Sequence, residues 1–190
     1  MKSSNRLILI GGSAGCLNVL IDILKNLPST FDIPIVVILH RLRNVVSEMD
    51  NILSFHTAGK KVVEPEDKEI IKSNSIYLAP QNYHLLIEAD QSFSLDYSEA
   101  VQYSRPSIDV TFESAANIYR KGTIAVLLSG TNADGTAGIK KVIDKGGTAI
   151  VQDPNTADYS FMPQNAIENN KGIKILAPNA ITNYLQSLMK

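Results

Sequence analysis

The sequence is poor in the features that would assign it to several large classes of protein. It has one cysteine, Cys16, among 190 residues, so neither an intramolecular disulfide nor a cysteine-based metal site can form. That usage fits a reducing cytoplasm. It lacks an excess of either charge. Its 18 Lys and Arg against 19 Asp and Glu leave a formal net charge of -1, without the chain-wide basic field that gathers phosphates along DNA or RNA. Long apolar runs are missing as well. The run at residues 7–11 is too short for the core of a signal peptide, and residues 33–39 fall far below the ~18 apolar residues that a membrane-spanning helix requires. Nucleic-acid binding and membrane insertion are therefore not expected. What is present, 44% hydrophobic and 19% charged residues, is ordinary globular composition, and the length suits a single domain over residues 1–190.

Leu7-Ile8-Leu9-Ile10 is branched and apolar on both faces, as in a strand covered from both sides of a parallel sheet. It runs into Gly11-Gly12-Ser13-Ala14-Gly15, after which Leu17, Leu20, Ile21 and Leu24 recur at helical spacing until Asn26, Leu27 and Pro28 interrupt them. Residues 33–39 predict a second buried strand ending at His40. Residues 45–55 predict a helix through Met49, Ile52 and Leu53, followed by a short strand at 61–63, an acidic loop at 64–69 and a strand at 75–79. Residues 83–88 and 92–97 flank Ala89-Asp90-Gln91 like an antiparallel hairpin. Helical spacing returns at Ile108, Phe112, Ala115 and Ala116, ahead of a buried strand at 123–128 and the loop 129–135. A helix at 137–145, a strand at 148–151, a strand at 175–177 and a C-terminal helix complete the pattern. The expected class is α/β: a doubly wound, mostly parallel sheet flanked by helices, with an antiparallel hairpin in the middle of the chain.

Three of the buried strands end on loops that carry Ser13, His40 and Asp134. The carboxyl ends of parallel strands are where such sheets build their sites. The three residue types are those a serine hydrolase needs: a hydroxyl to attack, an imidazole to take its proton, and a carboxylate to orient the imidazole. Gly11-Gly12-Ser13-Ala14-Gly15 formally matches G-x-S-x-G, but glycine turns between strand and helix are common, so the pattern alone does not identify a nucleophile. The chain order Ser, His, Asp also departs from the α/β-hydrolase order of Ser, acid, His. Each residue has a structural alternative: His40 as a strand-end cap, and Asp134 as turn chemistry or a helix cap. His56 and His84 are the other two histidines, and neither follows a strand expected to be buried in the parallel sheet.

Taken in order, the motifs resemble those of the catalytic domain of bacterial chemotaxis protein-glutamate methylesterases, the CheB type. Residues 8–15 are similar to the nucleophile segment and 36–40 to the histidine strand. Ser75-Ile76-Tyr77-Leu78-Ala79-Pro80 with His84-Leu85-Leu86, Arg105-Pro106-Ser107-Ile108-Asp109-Val110, residues 126–135, and Phe161-Met162-Pro163-Gln164-Asn165-Ala166-Ile167 resemble the remaining segments. The resemblance implies Ser13, His40 and Asp134 as catalytic residues, with no cofactor and no metal. It implies hydrolysis of glutamate γ-methyl esters on the cytoplasmic helices of methylated chemoreceptors, with deamidation of receptor glutamines beside it. Oxyanion donors are expected at the Ala14 N–H and in the loop 130–132. Ala14, Cys16 and Gly130-Thr131-Asn132 depart from the family's usual residues, Cys16 being read as a buried helix residue. Arg41 and Arg43 read either as steering charges for an acidic receptor helix or as an exposed basic loop. Six residues before the first strand cannot encode the receiver domain that family members commonly carry, so the expectation is an enzyme either unregulated by that route or regulated by a separate response-regulator partner.

Two rival readings have different sequence signatures. A phosphate- or nucleotide-binding module would use residues 11–15 as a cradle, but a Walker loop needs Gly-Lys-Ser/Thr, and a dinucleotide fingerprint needs glycine where Ser13 and Cys16 stand. A catalytically degenerate receptor-binding adaptor would keep the fold without turnover, and the altered residues around Ser13 and in the acid loop are the features that suit it.

Overall fold

Branched aliphatic residues dominate the strands, and their alternation assigns each side chain to one face of the sheet. The computed structural model describes residues 5–42, 44–57 and 59–189. Seven strands pair in parallel throughout: β1 (Leu7–Gly12), β2 (Ile35–Leu39), β3 (Val62–Val63), β4 (Ile76–Leu78), β7 (Thr123–Leu127), β8 (Thr148–Gln152) and β9 (Lys174–Leu176). Their order is β3-β4-β2-β1-β7-β8-β9. Strands β5 (His84–Ile87) and β6 (Phe93–Asp96) form the separate antiparallel hairpin, in the middle of the chain as expected.

Two cores follow from the alternation. Leu7 and Leu9 of β1 face one layer, with Ile108, Phe112, Ala115 and Ala116 of α3 (Ile108–Tyr119), and Ile139 and Val142 of α4 (Thr136–Asp144). The hairpin covers the same layer through Leu85, Ile87 and Phe93, and Thr111 on α3 donates its hydroxyl to the Leu85 carbonyl at 2.7 Å. Ile8 and Ile10 face the other layer, against Leu20, Ile23 and Leu24 of α1 (Leu17–Asn26), Leu53 of α2 (Met49–Phe55), and Ile181 and Leu185 of α6 (Pro178–Ser187). Burying each of the Leu, Ile, Val and Phe side chains contributes about 1.5–3 kcal/mol, enough in sum to hold both layers against the sheet.

Two elements differ from the sequence expectation. The helix expected at 45–55 begins only at Met49. Val45 and Val46 are exposed, so no burial holds them in a helix, and Asn44 has a left-handed φ of 56°. A further helix, α5 (Phe161–Asn169), forms where only a motif was recognised. Pro163 falls in its first turn, where a missing N–H costs nothing, and Met162, Pro163 and Ala166 are its buried side.

Topology places the site. From β1 the chain winds outward through β2 to β4 and β3, then returns to β1's other side and winds outward through β7, β8 and β9. Helix α1 covers one face and α3 the other, so the loops leaving β1, β2 and β7 diverge at a switch point and leave a crevice at the carboxyl ends of the strands.

Candidate active site

Ser13, His40 and Asp134 follow the three strands at that switch point. The Ser13 turn is held by its backbone. The Ser13 N–H donates to the Ser129 carbonyl at 2.9 Å, and the Cys16 N–H closes the turn on the Ser13 carbonyl at 3.2 Å. The Ser129 hydroxyl donates to the Ala14 carbonyl at 2.8 Å and accepts from the Tyr159 N–H at 3.0 Å. Gln152, itself buried, holds Ser129 through its N–H at 3.1 Å. Gly15 has a left-handed φ of 76°, and a Cβ there would lie 2.6 Å from that of Asp158, so glycine meets both a conformational and a steric requirement. Cys16 occupies the N-cap position of α1 and is 2% exposed, one residue before the helix proper. Burial pushes its thiol up to about 12, which removes it from nucleophilic chemistry.

Asp134 is fully buried and lies against the N-terminus of α3. Its Oδ2 accepts from His40 Nε2 at 2.8 Å and from the Ile108 N–H at 2.8 Å. Its Oδ1 accepts from the Ser107 hydroxyl and the Asp109 N–H, both at 2.9 Å, and from the Gly135 N–H at 3.0 Å. Burial would raise the pKa of this carboxyl, but the hydrogen bonds from His40, Asp109 and Ile108 and the nearby imidazole outweigh burial and hold it below the ordinary value. Asp134 thus caps α3, a distant helix, rather than α4, which follows it and whose N-cap is Gly135. The turn is also local: the Asp134 N–H donates to Asn132 Oδ1 at 3.2 Å.

With Nε2–H donated to the carboxylate, Nδ1 is the basic nitrogen of His40. It faces an open cavity of about 370 Å³ lined by Ser13, His40, Arg41, Tyr103, Ser104 and Asn132 among others. The hydroxyl bonded to Nδ1 is that of Ser104, at 3.2 Å, while the Ser13 hydroxyl makes no hydrogen bond among the described residues. The structure therefore joins His40 to Asp134 and brings Ser13 to the same cavity without a Ser13–His40 bond. Of the expected oxyanion donors, the Ala14 amide makes no hydrogen bond among the described residues. The Gly130 amide is engaged by the Tyr159 carbonyl at 3.1 Å, which leaves Thr131 and Asn132 in that loop.

Several other expectations are corrected or completed. Arg41 is neither a free steering charge nor an exposed loop residue. Its side chain is 6% exposed and its Nη2 donates to Glu64 at 2.7 Å and to the Ala79 carbonyl at 2.6 Å. Arg43 lies outside the described residues. His84 is fully buried, with Nδ1 accepting from the Ser107 N–H at 3.1 Å and Nε2 donating to the Glu99 carbonyl at 3.0 Å. It supports the turn that supports Asp134. Sequence reasoning missed Ser104, Ser107, Ser129 and Gln152 as site residues. Only Ser129 carried a local signal, as the first polar residue after a buried strand. Among the described residues no group of three or more His, Cys, Asp or Glu side chains is arranged to hold a metal ion.

The sequence profile of the family described as CheB methylesterase matches residues 8–185. A Leptospira interrogans protein, provisionally named protein-glutamate methylesterase/protein-glutamine glutaminase, is 48% identical over 161 residues, covering 85% of this chain and 83% of that one. The Thermotoga maritima protein-glutamate methylesterase/protein-glutamine glutaminase is 35% identical over 193 residues, covering 98% of this chain and 55% of its own length. The chain thus spans most of the first relative and about half of the second. The crystal structure of the Thermotoga maritima CheB methylesterase catalytic domain superposes with a TM-score of 0.92 at 35% identity, over 98% of this chain and all of that one. With a matching profile, close relatives and the same sheet, the chain belongs to the CheB methylesterase family.

Proposed function

We propose that this chain is a serine hydrolase of glutamate γ-methyl esters on the cytoplasmic helices of methylated chemoreceptors, and that it also deamidates receptor glutamines. The observation that carries the reading is the 2.8 Å His40–Asp134 hydrogen bond with the opposite ring nitrogen turned toward the cavity that Ser13 lines. Ser13 Oγ attacks the ester carbonyl while its proton passes to His40 Nδ1. Asp134 stabilises the resulting imidazolium, and the Ala14 N–H together with the loop at Thr131 and Asn132 faces the oxyanion. His40 then returns the proton to the departing methoxide, giving methanol. Water, deprotonated by His40, releases glutamate from the glutamyl-enzyme; an amide substrate loses ammonia by the same route. The chemistry needs no cofactor or metal.

The shape of the cavity suits a side chain presented on a protein surface. It is open, and its rim carries Leu42 at 76% exposure and Tyr103 at 96%, apolar surface of the kind a helix can rest on. No helix among the described residues is long and apolar enough to cross a membrane. A substrate on cytoplasmic helices supports a cytoplasmic enzyme, with a separate response regulator as its candidate control.

A second reading, a receptor-binding adaptor without turnover, is favoured by one observation: Ser104 occupies Nδ1. The two are separated by incubating the protein with receptor carrying labelled methyl groups and measuring methanol release beside Ser13→Ala. Release that falls by about 10³-fold or more in the variant supports the hydrolase. Receptor binding without release by the unaltered protein supports the adaptor.

A further inference from the structure

The mechanism uses one buried carboxyl, yet the site contains two. Asp109, in the first turn of α3, is 7% exposed. Its N–H is one of the donors to Asp134 at 2.9 Å, which sets the two buried acids in one cluster. On its other flank Oδ1 accepts from the Gly138 N–H in the first turn of α4 at 2.7 Å. That bond depends on the close crossing of α3 and α4. A Cβ on Gly138 would lie 2.6 Å from Phe112 Cβ and 3.2 Å from Asp109 Cα, so only glycine lets the amide approach. Two helix N-termini therefore converge on two carboxyl groups, and only one of those groups touches His40.

Asp109 also has its own route to solvent. It borders a polar cavity of about 470 Å³ on the far side of the acid loop, with Lys140 from α4 and Asn165 and Asn169 from α5. Ser13 and His40 do not line this cavity. The charged groups that bear on Asp109 are Asp134 from the acid loop, Glu113 one turn further along α3, and Lys140 across the cavity; α5 contributes only neutral amides there.

We propose that Asp109 is a positioning residue that acts on His40 through the buried cluster it shares with Asp134: protonated, it leaves Asp134 as the cluster's one negative charge, and ionised, it adds a second that strengthens the imidazole as a base. Burial, more than the opposing Gly138 N–H relieves, pushes the Asp109 carboxyl up to about 7, and the charges of Asp134 and Glu113 add to the rise. Its proton is thus exchanged in the pH range where a histidine base works. Because the carboxyl and the imidazole both interact with Asp134, their titrations are linked: a proton on His40 favours loss of one from Asp109, and the reverse.

The proposal rests on the reading of His40 as the base, and its test separates the two. The imidazole of His40 is titrated by NMR in the full chain and in Asp109→Asn, with His56, the residue that caps the C-terminus of α2, as the internal reference. Loss of the ionised carboxyl, in a medium of effective dielectric near 20, lowers the His40 midpoint by up to about one pH unit, and by less where Asp109 still carries its proton. The acid limb of kcat/KM for methanol release moves down by the same amount. A midpoint identical in the two proteins overturns the proposal. Methanol release by the full chain with no shift in midpoint leaves the hydrolase reading intact and sinks the linkage. A shift without methanol release does the opposite. Should the variant fail to fold, the ¹³C titration of the Asp109 carboxyl in the unaltered protein decides: a midpoint near 7 supports the proposal, and one near the ordinary 3.8 overturns it.

Discussion

Asp134 has two duties that substitutions can separate. It orients His40, and it satisfies the first N–H groups of α3 in a site with no access to water. Asp134→Asn keeps an acceptor for the helix but cannot hold the imidazolium, so activity should fall by about 10⁴-fold with a small stability change. Asp134→Ala leaves the Ile108 and Asp109 amides buried without their acceptor, and urea denaturation should register a loss of about 2–4 kcal/mol. His40→Ala also abolishes activity, and because it takes one hydrogen bond from the buried Asp134 carboxylate while the helix amides remain bound, a stability loss of about 1–3 kcal/mol accompanies it. Equal stability of the two Asp134 variants would contradict the capping role. Asp109 makes an opposite demand on pH. Its folded-state pKa is raised to about 7 from 3.8, so its contribution to stability is fully present below 3.8 and is lost as pH rises through about 7. Asp109→Asn removes that loss. The stability of the variant relative to the unaltered protein should be greater at pH 8 than at pH 5 by about 1–3 kcal/mol, measured by urea denaturation at both; the same difference at the two pH values would refute it.

At the scale of the element, the turn between β1 and α1 is the part least tolerant of change. Ser129, Gln152 and the Tyr159 backbone clamp it from the neighbouring loops, so its backbone has no freedom to absorb a bulkier Gly15. Gly15→Ala forces a side chain into a left-handed conformation and against Asp158. A loss of about 2–3 kcal/mol in urea denaturation is expected. The drop in kcat/KM should exceed what the unfolded fraction explains, since the displaced turn carries Ser13. The sequence made the ends of this element legible, because Leu20 and Leu24 keep helical spacing and the glycines mark the turn. The helix expected at 45–55 was overestimated for a related reason: its apolar residues suited a helix, but Val45 and Val46 found nothing to pack against. Helix α5 escaped notice because Pro163 and its asparagines mask a buried side of only three residues.

At the scale of the molecule, the two cores and the strand order bury a lone thiol at the N-cap of α1, where the Ser13 turn ends, and that thiol reports on the whole. Cys16 is 2% exposed and its thiol is pushed up to about 12 by burial. Its labelling by a thiol reagent at pH 8 should therefore be negligible in the folded protein and should rise with urea in step with global unfolding. Labelling of the folded protein at the rate of a free thiol would contradict the packing of α1 on β1.

The sequence by itself determined the α/β class, the strands that would be buried, the loops that would carry Ser13, His40 and Asp134, and the family. These are local or ordered properties: the period of apolar residues, the placement of glycine, and the succession of short motifs along the chain. The tertiary structure alone decided which groups meet. Asp134 joins His40 across 94 residues of chain, caps a helix that precedes it in sequence, and shares its site with Asp109. Ser104 reaches the basic nitrogen, and Arg41 spends its charge on Glu64 instead of a partner. No pattern in the chain announces such pairings, because hydrogen bonds depend on positions to within a few tenths of an ångström, and those positions exist only once the sheet, both helical layers and the switch point have been assembled.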